Sequence, residues 1–263
     1  MIREEKTNDL SKEKKNEMYS RFSNLSDIGF DGLKHLQEKT IAILGVGGLG
    51  SWSSLQFCKL GINLILVDKD CLELSNLPRT TFYSIQDVGK PKTEIAKEKL
   101  LNLNPFISII TFQEEINEKN ILKIIKNADV VVDGTDNFQT RMIINKACLK
   151  ISKPYVFAGA TAMEANISTF TYDEPVHLCL QCIYHNVNDE ELPTNATVGV
   201  HTGLLAIVSA IQVHEAIQIC LGKEPVLKGR LLYFYYKDYD FDILQIRGSS
   251  SCNNYLDMQN AFI

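Results

Sequence analysis

Short uninterrupted apolar runs alternate along this chain with longer stretches whose apolar positions recur at helical spacing. IAILG (41–45) leads into a helical stretch over 48–60, and NLILVD (63–68) forms the second run. PKTEIAKEKLLNLN (91–104) predicts a helix with Pro91 in its first turn, where a missing N–H is harmless. ISIITF (107–112), ADVVVD (128–133) and PYVFAG (154–159) read as further strands, separated by helices at 118–126 and 137–150. ANISTFTY (165–172) instead alternates apolar with polar, as a strand with one solvated face does. Runs of four to six apolar residues need cover on both faces, which is the condition of a parallel sheet with helices on either side. The order predicts an α/β, doubly wound sheet.

The two ends differ from this middle. Residues 1–17 are too polar to pack, so 1–18 reads as a flexible N-terminal arm, and 19–36 as short helices laid on a single domain over 19–263. Within that domain 37–172 holds the alternating strands and helices and 173–263 the remainder. The segment 173–199 lacks either period and reads as a crossover loop. A buried helix follows at 200–221, then antiparallel strands at 229–237 and 241–246 joined by a tight turn, and a polar tail.

A net charge of −5 argues against bulk nucleic acid as a partner. The apolar run 203–220 contains Gln212, His214, Glu215 and Gln218, so it reads as a core helix and no membrane association is expected. Seven cysteines, an odd number scattered through predicted core elements, and a polar opening without a basic-then-apolar leader predict a reducing, cytoplasmic setting.

The chemistry starts at TIAILGVGGLGSW (40–52). Gly45-x-Gly47-x-x-Gly50 follows a strand and opens a helix, and Gly48 lies inside the same turn. Such a turn allows close approach of a phosphate to backbone N–H groups at a helix N-terminus. Asp68 and Asp70, about twenty residues on, suit the ribose hydroxyls. The turn alone fits NAD, FAD, ATP or S-adenosylmethionine alike, with a Rossmann-like sheet as its frame.

Three further residues stand in the long connection after the second strand: Asn76, Arg79 and Lys92, within SNLPR and DVGKPK. A triphosphate and a departing pyrophosphate need more cationic stabilisation than a dinucleotide does. VDGTDN (132–137) ends a buried strand, where open α/β sheets bind ligands. Asp136 there would hold Mg²⁺, a hard cation that takes oxygen ligands. Asn137 reads as a further nucleotide contact, and the alternative for either Asp136 or Asn137 is the N-cap of the next helix.

GVGGLGS, the Asp68/Asp70 pair, SNLPR, DVGKPK and GTDN, in this order, resemble the ThiF/MoeB/HesA family of ubiquitin-activating-enzyme-like adenylyltransferases. The resemblance runs from about Tyr19 to Arg247. It implies an enzyme that binds Mg·ATP and adenylates the C-terminal Gly-Gly carboxylate of a small ubiquitin-like or sulfur-carrier protein, releasing pyrophosphate. It implies that Gly45, Gly47, Gly48 and Gly50 form the phosphate turn, with Asp68 and Asp70 at the ribose. Asn76, Arg79, Lys92 and Asn137 would line the nucleotide, and Asp136 would bind Mg²⁺. Met18-Tyr19-Ser20-Arg21 resembles the family's R-Y-x-R segment, in which the second arginine reaches a neighbour's phosphates; this implies a homodimer with Arg21 acting in trans.

Four departures accompany the resemblance. Met18 replaces the first arginine of that segment. Relatives carry two C-x-x-C pairs for a structural zinc, whereas here Cys179/Cys182 is intact and the second pair reads Cys252-Asn-Asn-Tyr255. Three thiolates with His177 or His185 would complete a tetrahedral zinc site, and plain buried cysteines are the alternative. LPTNATVGV has no thiol at Asn195 or its neighbour, where many relatives carry one, so only adenylation is implied. Without a rhodanese-like segment in this sequence, sulfur is expected to come from another protein. Two other readings stand beside this one: an NAD-dependent oxidoreductase using His177, His185 or His201, and a tRNA threonylcarbamoyl-adenosine dehydratase-like enzyme, which GSWSS resembles.

Overall fold

The computed structural model describes residues 2–172, 178–184, 187 and 195–248. Five strands form the parallel half of the sheet: β1 (Thr40–Leu44), β2 (Asn63–Val67), β3 (Ile109–Phe112), β4 (Val130–Asp133) and β5 (Tyr155–Thr161). The antiparallel half continues from β5 through β6 (Glu164–Phe170), β7 (Arg230–Tyr235) and β8 (Asp240–Gln245). The spatial order is β3-β2-β1-β4-β5-β6-β7-β8. Strand order therefore reverses between β1 and β4, and a crevice opens at the carboxyl ends of these two strands.

Residue alternation explains why the strands read as unbroken apolar runs. Ile41, Ile43, Leu64, Leu66, Val130 and Val132 face one core. Ala42, Leu44, Ile65, Val67 and Val131 face the other. The helices in chain order are α1 (Ile2–Ser23), α2 (Gly29–Gln37), α3 (Gly48–Leu60), α4 (Lys92–Leu103), α5 (Ile121–Ile125), α6 (Phe138–Lys150), two single turns α7 (Leu180–Ile183) and α8 (Asn195–Val198), and α9 (Thr202–Cys220). Helices α3, α4 and α9 contribute to the first core, and α5 and α6 to the second.

Helix α9 is long and apolar enough to cross a membrane by composition. Its apolarity is accounted for by burial: Leu204, Leu205, Val208, Gln212, Val213, Glu215 and Ala216 are all buried. Glu215 is 1% exposed and tolerable there because its carboxylate accepts from Thr169 Oγ1 (2.7 Å) and the backbone N–H of Val226 (3.0 Å) and Leu227 (2.9 Å).

The structure departs from the predicted pattern in two places. Residues 2–18 of the segment expected as a flexible arm belong to helix α1, which starts at Ile2. Its Lys- and Glu-rich sequence has good helix propensity but no apolar face, so propensity and not packing makes it helical. Tyr19 docks its last turn: the ring is 4% exposed, and its hydroxyl accepts from Asn104 Nδ2 (2.6 Å). The ring sits over Gly61, at φ +81°, where a Cβ would lie 2.7 Å from the Tyr19 hydroxyl. The connection 70–91 contains two 3₁₀ turns, Leu74–Arg79 and Ile85–Asp87.

Candidate nucleotide site

The glycine turn lies at the carboxyl end of β1, against the carboxyl end of β4. Gly45 has φ +88°, and a Cβ on it would stand 2.5 Å from the Gly134 carbonyl oxygen. A Cβ on Gly50 would meet the Gly45 oxygen at 1.8 Å, and one on Gly134 would meet the same oxygen at 2.2 Å. Backbone thus packs on backbone at three positions. Gly47 is the contrast: nothing lies within 4 Å of where its Cβ would be. Close packing explains Gly45 and Gly50, while open space at Gly47 is what an approaching phosphate needs.

Asp68 locks the turn to β2. Its Oδ2 accepts from Val46 N–H (2.8 Å) and its Oδ1 from Asp70 N–H (2.9 Å), leaving one lone pair on each oxygen for ribose hydroxyls. Burial pushes the Asp68 carboxyl above its ordinary range, against the opposing pull of Lys92 and of these two backbone donors. Lys92 opens α4 and is 7% exposed; its ammonium lies 3.0 Å from Asp70 Oδ2, whose own side chain is half exposed. A charged amine held this dry beside a glycine turn is an anion-binding feature.

The connection that carries Asn76 and Arg79 is stitched to this turn. Tyr83 is buried and its hydroxyl lies 3.0 Å from the Val46 carbonyl oxygen and 3.2 Å from that of Lys92. Burial, reinforced by the charges of Asp68 and Asp87, keeps Tyr83 far above the usual phenol range, so it remains a neutral donor. Asn76 is buried, its Oδ1 accepting from Glu73 N–H (3.2 Å). Arg79 is half-buried and gives Nη1 to the Ser75 carbonyl (2.8 Å).

Asp87 clasps the far end of the connection, accepting from Ser84 N–H (2.8 Å), Ser84 Oγ (2.6 Å) and Lys99 Nζ. Burial raises its carboxyl, but the Lys99 and Ser84 hydrogen bonds outweigh that and hold it at about 2, below the ordinary 3.8. A depressed folded-state value means stabilisation that is present above pH ~4 and lost as pH falls toward 2. Asp87→Asn is expected to lower stability at pH 7 by about 2 kcal/mol. Urea unfolding at pH 7 and pH 3 checks this, with a smaller gap between wild type and variant at the lower pH.

Asp136 is exposed at the end of the Gly134-Thr135 strap, and Oδ1 takes one bond, 3.3 Å from Asn137 Nδ2. Its other oxygen has no partner among the described residues, which fits a hard cation completed by water and phosphate oxygens. Asn137 is the N-cap of α6, its Oδ1 accepting from Thr140 N–H (2.8 Å). Lys69 is held above its usual range by its hydrogen bond to Glu115, with smaller contributions from Asp70 and Asp136, which puts both carboxylates at one edge of the sheet.

Arg21 does not join this edge within its own chain. Tyr19, two residues before it, sits over Gly61, just ahead of β2, whereas the glycine turn lies past the other end of the strands. Five strand residues, about 17 Å, separate the two edges. Arg21 is exposed and makes no hydrogen bond or ion pair among the described residues. Cys179 and Cys182 are buried around α7, while Cys252, His177 and His185 lie outside the described residues. Among the described residues, no three His, Cys, Asp or Glu side chains gather to hold a metal.

One cluster had no role in the motifs. Asp133, the last residue of β4, is fully buried, and its Oδ1 accepts from Thr135 N–H (2.8 Å) and Thr135 Oγ1 (2.7 Å). Its Oδ2 accepts from Tyr155 hydroxyl (2.7 Å) and Arg141 Nε (3.2 Å). Arg141 Nη2 donates to the carbonyls of Thr135 (2.8 Å) and Ala158 (3.2 Å), and the guanidinium contacts the Phe138 and Phe157 rings. Gln212 on α9 donates to the Asp133 carbonyl (2.8 Å). Arg141, Ile144, Asn145 and Cys148 share the buried stripe of α6. A charge at core-facing spacing was the available signal for Arg141.

A glycine turn with open space at Gly47, a dry Lys92 and an exposed carboxylate at the strand switch can be compared with known proteins. The model of the ThiF family matches residues 19–254. The chain belongs to the ThiF family. A probable molybdopterin-synthase adenylyltransferase of Porphyra purpurea is 34% identical over 236 residues, covering 88% of this chain and 61% of the relative. The chain thus spans about three-fifths of that relative's length. The SAMP-activating enzyme E1 of Haloferax volcanii is 31% identical over 236 residues, covering 89% of this chain and 86% of the relative. The crystal structure of E. coli MccB with ATP aligns with a TM-score of 0.74 at 25% identity, covering 84% of this chain and 68% of that one. The ThiF fold accordingly includes the antiparallel strands and α9 as well as the nucleotide half.

Proposed function

We propose that this ThiF-family chain is an ATP-dependent adenylyltransferase acting on the C-terminal carboxylate of a small ubiquitin-like or sulfur-carrier protein. The observation that carries this reading is the dry Lys92 ammonium, paired with Asp70 and acting on Asp68, the carboxylate that holds the glycine turn. Nicotinamide chemistry has no use for a buried lysine there. The described histidine proposed for hydride handling, His201, is occupied as the N-cap of α9, its Nδ1 accepting from Gly203 N–H (3.1 Å). The ATP-bound MccB structure and the adenylyltransferase and SAMP-activating relatives support the same assignment.

The chemistry follows from the residues. The carrier's carboxylate oxygen forms a bond to the α-phosphorus, the bond from that phosphorus to the β-phosphate bridging oxygen breaks, and pyrophosphate leaves with the electron pair. No general base is needed because the nucleophile is already ionised. Asp68 holds the ribose, Gly47 and the N-terminus of α3 receive phosphate oxygens, and Lys92 and Arg79 neutralise charge on the transferring group and the leaving pyrophosphate. Asp136 would hold Mg²⁺, which supplies further positive charge to the phosphates when bound. Arg21, too far from its own turn, is assigned to a second copy's site, making the working unit a homodimer. Six free cysteines among the described residues suit a reducing cytoplasm.

The test is ATP–pyrophosphate exchange with Gly-Gly-ended small proteins from the same genome. Asp136→Ala is expected to lower exchange by about 10²–10³-fold, and removing the carrier's terminal glycines to abolish it. Exchange that ignores the carrier's tail, or an unaffected Asp136→Ala variant, would overturn the assignment.

A further inference from the structure

We infer that Arg141 is a positioning residue that presents Asp136 to its cation. The inference rests on the assignment of Asp136 to Mg²⁺ made above. Arg141 itself touches neither nucleotide turn nor Asp136; it acts through the two residues in between.

The strap Gly134-Thr135-Asp136 has no regular structure of its own and must be fixed from outside. On one side Gly134 rests directly on the Gly45 backbone, leaving no room for a Cβ. On the other side Arg141 holds the Thr135 carbonyl at 2.8 Å, while Asp133 holds the Thr135 N–H and hydroxyl at 2.8 and 2.7 Å. Every polar group of Thr135 is therefore engaged, and Asp136 is the first residue released into solvent. The same guanidinium reaches Ala158 on β5 and pairs with Asp133 on β4, so three elements are pinned by one side chain.

The physical case for positioning over mere stability lies in the geometry. Asp133 and Arg141 are 0% and 6% exposed, and a buried ion pair is at best neutral for stability against an apolar pair of equal volume. What such a pair provides is direction. Arg141 is a planar fork with Nε on Asp133 and Nη2 on two carbonyls, its Cζ 5.0 and 5.3 Å from the centres of the Phe138 and Phe157 rings. Lysine keeps the charge and lacks the fork.

Arg141→Lys tests this. The variant is expected to melt within a few degrees of wild type and to bind ATP in the absence of Mg²⁺ as wild type does. Its half-saturating Mg²⁺ concentration is expected to rise about tenfold, both in exchange kinetics and in calorimetric titration of the ATP complex with Mg²⁺. Tyr155→Phe and Thr135→Val each remove one neutral bond to Asp133 and are expected to shift the same concentration about two- to threefold; they decide the matter if Arg141→Lys does not fold. Wild-type Mg²⁺ response in the folded variants overturns the inference, as does an equal loss of ATP affinity with and without Mg²⁺. Asp136→Ala separates the two claims: if it leaves Mg²⁺ response unchanged, the Asp136 assignment fails first; if it abolishes the response while the Arg141 set does not shift it, only the positioning role fails.

Discussion

Gly50→Ala is expected to destabilise the fold by more than about 3 kcal/mol and to eliminate measurable ATP binding. The added methyl would stand 1.8 Å from the Gly45 carbonyl oxygen, and that oxygen is also what Gly134 packs on. The obstacle is backbone on one side and a helix start on the other, so no rotamer change relieves it. Gly47→Ala is the control: nothing lies within 4 Å of the new methyl, so its melting temperature should match wild type while ATP affinity falls about tenfold. Thermal melts and nucleotide titrations of the two variants check this. A Gly50→Ala protein of normal stability would mean the turn is not built as described. A Gly47→Ala protein of normal affinity would mean phosphate does not lie over that glycine.

Lys92→Met is expected to lower ATP–pyrophosphate exchange by about 10²–10³-fold with little change in melting temperature. Methionine replaces the apolar stem, and the abandoned Asp70, with its side chain 54% exposed, stays hydrated. The variant also carries a pH signature. Burial already raises the Asp68 carboxyl, and Lys92 is the leading charge opposing that rise. Without Lys92 the carboxyl moves higher still. Protonated Asp68 gives up acceptor capacity needed by the ribose, so ATP affinity in the variant should begin to fall at a higher pH than in wild type. Titrations of nucleotide binding between pH 5 and 8 read this directly. Unchanged exchange would remove Lys92 from the phosphate-binding set.

The parallel half of the sheet was legible because burial on both faces forces an unbroken apolar run, and such runs stand out against helical spacing. The gathering of Gly47, Asp68, Lys92 and Asp136 at one edge of the sheet was legible because each lies in a short local motif at the end of a strand or the start of a helix. The Asp133 cluster was not. Its members lie 8, 22 and 79 residues from Asp133, and periodicity reports which face a residue occupies, never which partner it meets. The helical state of residues 2–17 was missed for another reason: an all-polar stretch has no apolar stripe, and its Lys and Glu content favours helix without signalling where it docks. Tyr19 was the visible anchor, and its seat at Gly61 is set by tertiary packing, which periodicity does not report.

The contact of Gly134 on Gly45 has a mechanical meaning. Two chain segments 89 residues apart share one carbonyl oxygen as a common floor, with the phosphate turn above one side and the acidic strap above the other. Neither can tilt without carrying the other. Local opening of this seam would loosen the glycine turn and the acidic strap together, as a single cooperative unit. The glycine turn and the acidic strap are thus one casting, and any variation around them has to come from the segments laid against it.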